Sequence, residues 1–221
     1  MAAPTTAAES PVPVKPRLRG VLHQGAFDAS LVSGTFLVVS ARGALATVAA
    51  GVYAVSLSAL FGSSALYHRL AWSGPARRRM QRLDYAMIFV LIAGTYTPLL
   101  LLAGRGRTRA LLVAGVWLYA AVGTGVRLAW PHAPQLFVGA LYLGLGWLGV
   151  AVIPVLWPRM GEAAGLLVVV GGLLYTLGAL CLHRRRPDPV PAVFGYHEVF
   201  HAFVVAAAAC HYAAIAVVVL A

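Results

Sequence analysis

QLFVGALYLGLGWLGVAVIPVL, residues 135–156, carries no charged side chain and is as long as the ~20 residues an α-helix needs to cross a ~30 Å hydrocarbon core. It lacks the strict in/out alternation of a membrane β-strand, so a helix is the expected form. Six further apolar stretches accompany it: 25–41, 44–66, 83–103, 110–128, 162–182 and 197–220. The first is the weakest, being short and carrying Asp28 near its start. Composition agrees with this reading: 61% of the 221 residues are hydrophobic and 10% charged, where a soluble domain carries roughly a quarter charged. The expected fold is therefore all-α, an integral membrane bundle of seven transmembrane helices spanning residues 20–221. Residues 1–19, rich in Ala, Pro and Thr, are expected to be a disordered tail and show no apolar core of the signal-peptide kind.

The net charge of +11 does not point to nucleic acid, because the basic residues sit in short gaps between apolar runs. With the N-terminus inside, Lys15, Arg17, Arg19, Arg69, Arg77, Arg78, Arg79, Arg82, Arg127, Arg184, Arg185 and Arg186 face the cytoplasm. Arg42, Arg105, Arg107, Arg109 and Arg159 face outward. The excess on the first side places the N-terminus in the cytoplasm and, after seven crossings, the C-terminus outside. Membrane lipids are the expected surroundings and partners, and a multi-pass cell-membrane location follows. Cys181 and Cys210 read as packing residues rather than a disulfide.

Polar groups within apolar helices are costly and call for a reason. SSALYH (63–68) places Ser64 and His68 four residues apart, RLDYAMIF (82–89) puts Asp84 near the start of the third segment, and GYHEVFHAF (195–203) spaces His197 and His201 by four. Residues four apart share a helix face, so His197 and His201 can hold one ion, and neutral imidazoles suit zinc. The alternating topology brings His68, Asp84, His197 and His201 to similar depth near the cytoplasmic face. Three histidines leave a fourth zinc position open for water, as in catalytic sites, and Asp84 is the candidate base. The competing readings are interfacial or packing histidines, and Asp84 paired with Arg82 or another arginine. His197-Glu198-Val199-Phe200-His201 also fits HExxH, but no acidic residue follows Glu198 and His211 lies ~15 Å further along the helix. Glu198 is therefore expected to serve the helix N-terminus instead. His23, His132 and His183, without partners at ligand spacing, are expected to be interfacial.

Taken with LYLGLGWLGV (141–150) and LLYTLGAL (173–180), SSALYH, RLDYAMIFVLIAGTYTP (82–98) and GYHEVFHAFVVAAAACHY (195–212) resemble the hemolysin III family over residues 20–220. That family is similar to the progestin and adiponectin receptors and, more distantly, to alkaline ceramidases. The resemblance implies a cytoplasmic-side zinc on His68, His197 and His201, with Asp84 beside the metal's water and Ser64 supporting the site. It leaves two functions open. One is a zinc-dependent hydrolase of a lipid amide or ester. The other is a non-enzymatic receptor-like sensor or cytolytic pore former in which zinc is structural.

Overall fold

The computed structural model describes residues 15–130 and 132–221. Six helices make up the regular structure: α1 (Val21–Ser40), α2 (Ala44–Arg69), α3 (Gly74–Pro98, ending in a π-helical turn Leu99–Ala103), α4 (Gly106–Ala129), α5 (Gln135–Arg184) and α6 (Tyr196–Leu220). Among the described residues there is no strand, only an isolated bridge between Val190 and Phe194. All but α1 are long and apolar enough to cross a membrane. Large apolar side chains such as Val32, Phe36, Val55, Leu118, Val155 and Leu173 stand on the outside of the bundle. That outer surface fits lipid, where the only favourable backbone is one that satisfies its own hydrogen bonds.

The fifth and sixth expected segments, 135–156 and 162–182, are joined into α5 without a loop. A straight helix of 50 residues would be about 75 Å long, far more than a bilayer core. Gly161, at φ 79 and ψ 162, breaks it. That region of backbone space is open essentially to glycine alone, and Gly43, at φ 84 and ψ 152, starts α2 in the same way. The first arm of α5 runs alongside α3, with Tyr142 Oη donating to the Tyr85 carbonyl and Tyr96 Oη to that of Gly146. The second arm returns along α6, where Gly178 packs on Phe203 and His211 Nε2 lies 3.1 Å from the Val168 carbonyl oxygen.

α3 starts at Gly74, not near 83. Hydropathy marks only the part of a helix inside lipid, whereas Pro75 in the first turn and the arginines behind it are sound helix formers that extend the helix into water. Asp84 therefore lies well inside α3 rather than in its first turn. The disordered stretch expected over 1–19 falls for residues 1–14 outside the described residues. Arg17 and Leu18, by contrast, donate their backbone N–H groups to the carbonyls of Ala192 and Val193, both at 3.0 Å.

α1 and α2 form an antiparallel hairpin whose contacts step evenly along both helices. His23 meets Ser64, Ser30 meets Ser58 at 2.9 Å, and Gly34 meets Ala54. α1 also runs parallel to α6, with Arg19 on Glu198, His23 on His201, and Tyr212 Oη donating to the Ser33 carbonyl. These two pairings bring the start of α1, the end of α2 and the start of α6 together, and α3 adds its own N-terminal half. At the opposite end, a cavity of 420 Å³ is lined by Arg42, Leu102, Ala103, Arg159 and Val218.

Candidate metal centre

His68, in the last turn of α2, and His197 and His201, one turn apart at the start of α6, bring one ring nitrogen each to within 4.8 Å of the others. His68 Nε2 and His197 Nε2 are 3.3 Å apart. Two nitrogens bound tetrahedrally at 2.0–2.1 Å to one zinc ion would stand about 3.3 Å apart. The donor set therefore fits a metal in chemistry, and the His68–His197 pair fits one in spacing. His68 and His201 are buried, and His201 Nδ1 has no hydrogen-bond partner among the described residues.

Asp84 Oδ2 lies 3.8 Å from His68 Nε2. The carboxylate faces the cluster from α3 and, among the described residues, forms no ion pair with an arginine. The alternative pairing with Arg82 is not what the structure contains: Arg82 Nη1 points instead to the Leu128 carbonyl at 3.5 Å. Ser64, one turn before His68, is buried beside the Asp84 carboxyl. The five residues singled out by sequence thus meet in one place.

Glu198 is engaged away from the three histidines. Its Oε2 accepts the backbone N–H of Gly195 at 2.9 Å, and its Oε1 accepts from Arg19 Nε. Asp188 Oδ1 takes the Tyr196 N–H at 2.8 Å, so carboxylates cap the N-terminus of α6 and hold its first turn, with His197, in register. The HExxH spacing is present without the geometry that a protease needs.

Two residues escaped the sequence reading. His23, expected to be interfacial, is buried: its ring stacks on His201 with centroids 3.7 Å apart and planes 7° from parallel, and its Nδ1 is 2.8 Å from Ser64 Oγ. Arg19, counted only as a topology charge, reaches the buried Glu198. The hairpin held the signal for His23, since residues similarly far from the Ala41–Gly43 connection lie at similar depth on α1 and α2. His132 and His183 are exposed.

Residues 13–212 match the family model described as haemolysin-III related. Hemolysin-3 of Bacillus cereus is 31% identical over 167 residues, covering 75% of this chain and 73% of that protein. Human monocyte to macrophage differentiation factor is 29% identical over 173 residues, covering 76% and 69%. The rice heptahelical transmembrane protein ADIPOR2 is 30% identical over 180 residues, covering 74% and 79%.

Proposed function

Because the chain belongs to the haemolysin-III related family, as a multi-pass membrane protein, we propose that it is a zinc-dependent hydrolase of a lipid amide or ester. The observation that carries this reading is the convergence of three imidazoles, with the 3.3 Å spacing of His68 and His197, beside one buried carboxylate. His68, His197 and His201 would hold the ion. Bound zinc polarises a carbonyl oxygen and acidifies water. Asp84 accepts the proton of the attacking water and passes it to the leaving amine or alcohol. Ser64, buried one turn before His68, would hold the Asp84 carboxyl in one orientation.

The chain crosses the membrane seven times in this reading. α1 forms the first span and the two arms of α5 count separately, which is supported by the break at Gly161 and by the name of the rice relative. The N-terminus and the histidines lie on the cytoplasmic side and the C-terminus outside, following the arginine distribution. Substrate tails enter from the bilayer and the headgroup from the cytoplasm.

A second reading, a structural zinc in a sensor or cytolytic pore former, draws support from the burial of His68 and His201, since such an ion would staple α2 to α6. The pore version is weaker. The hydroxyls of Ser56, Ser63, Thr95, Thr97 and Thr176 are donated to carbonyls of their own helices, leaving little to line an aqueous channel.

The test is the metal content of detergent-purified protein. About one zinc per native chain is expected, lost when His197→Ala and His201→Ala are combined. Folded native protein that takes up no zinc would refute the reading.

A further inference from the structure

Four histidines, not three, are packed at the cytoplasmic end of the bundle, and the fourth does not belong to the ligand group. His23 is 3% exposed and touches two members of the centre, one through its ring face and one through its ring edge. Its ring lies flat on His201 at 3.7 Å, while Phe61 closes its edge at 5.1 Å. Its Nδ1 meets Ser64 Oγ at 2.8 Å, and its Nε2 is buried with no partner.

The tautomer follows from that orphan nitrogen. If Nε2 carried the hydrogen, a donor would be buried with nothing to accept it. If Nδ1 carries it, only a lone pair is left unsatisfied, and buried carbonyl-type acceptors tolerate this better than N–H groups do. The Nδ1–H then donates to Ser64 Oγ, so that the imidazole holds the hydroxyl oxygen in place and the hydroxyl hydrogen stays free to turn. This bond ties α1 to α2 beside the three histidines.

We propose that His23 is a positioning residue of the metal centre, holding the His201 ring by stacking and the Ser64 hydroxyl by hydrogen bonding. This rests on the metal reading above and extends it to α1, which supplies no ligand. Without the stack, His201 has no hydrogen bond from its Nδ1 to fix its ring plane. Groups that orient a ligand histidine from behind usually change metal affinity by 10–100-fold when removed.

Two variants separate the two contacts. His23→Phe keeps a flat ring against His201 and removes the bond to Ser64. His23→Asn keeps a polar group near Ser64 and removes the ring. Cobalt is the probe: its affinity is measured against a competing chelator, and its visible absorption bands report the coordination of the ion directly, without any substrate. The expected result is affinity and spectrum close to native for His23→Phe, and at least about 10-fold weaker binding with altered bands for His23→Asn. Size-exclusion profile and helical content serve as fold controls. Native-like cobalt binding by a folded His23→Asn chain, or equal losses in both folded variants, would overturn the inference alone. A native chain that binds no cobalt would overturn the metal reading and this inference with it.

Discussion

Arg19 and Glu198 should destabilise the protein unequally when each is replaced. Glu198 is 1% exposed and keeps only the Gly195 N–H if Arg19 is removed, whereas the Arg19 side chain is 19% exposed. Removing one partner of a fully buried pair costs about 3–5 kcal/mol. The partial exposure of Arg19 and the remaining backbone donor lower this, so Arg19→Ala is expected to cost about 2–3 kcal/mol. Glu198→Gln preserves the side-chain shape and an acceptor for Gly195, and Arg19 can extend its guanidinium to water, which sets its cost at about 1 kcal/mol. With both changes present no charge is stranded, so the double variant should resemble Glu198→Gln and the coupling should equal the Arg19→Ala cost, about 2–3 kcal/mol.

Reversible unfolding in mixed micelles by added SDS, followed by circular dichroism, gives the four free energies. A chelator in every sample keeps metal affinity out of the comparison. Equal costs for the two single variants, or a coupling below about 0.5 kcal/mol, would refute the argument that Glu198 is a buried charge held by Arg19.

Three further outcomes are expected. Asp84→Asn should retain about one zinc per chain but lose at least ~100-fold in hydrolysis of a fluorogenic lipid amide; native turnover by this variant would remove Asp84 from the chemistry and favour a structural ion. Gly161→Ala should cost about 1–3 kcal/mol in the same micelle assay, because its φ of 79 with ψ 162 is strained for any residue with a Cβ; a neutral effect would mean that the break is held elsewhere. In a background lacking Cys181 and Cys210, a membrane-impermeant maleimide should label Arg107→Cys in intact cells and Ser73→Cys only after permeabilisation; the reverse pattern would invert the orientation.

The bundle was legible because lipid imposes a rule that needs no partner: ~20 apolar residues make a span whatever surrounds them. The same rule explains the misjudged boundaries. Hydropathy is blind to the first turns of α3, where Arg77, Arg78 and Arg79 are helical but not in the hydrocarbon, and so Asp84 seemed to sit at a helix start. It also separated 135–156 from 162–182 at the right place while giving no hint that Gly161 alone would join them. Periodicity marked the polar groups of the centre wherever two of them shared one helix: Ser64 with His68, and His197 with His201.

His23 shows where such reading stops. It stands alone on α1, so no spacing announces it, and its partners lie 41 residues away on α2 and further still on α6. Depth was available, because α1 and α2 are joined by a short connection and His23 and Ser64 are similarly far from it. Facing was not, since depth places a residue on a ring around the helix axis and says nothing of the angle. The angle of α1 is fixed by packing that only the assembled bundle has: Gly34 against Ala54, Gly62 against Phe27, and Tyr212 on the Ser33 carbonyl. A Cβ on Gly34 would stand 2.9 Å from that of Ala54, too close to be accommodated without a shift. Small residues thus set how closely α1 approaches α2, and through that approach whether an imidazole on α1 can lie flat on His201. Local spacing picks out the candidate ligands His197 and His201, but what orients them comes from glycines one to three turns away, which carry no chemistry of their own.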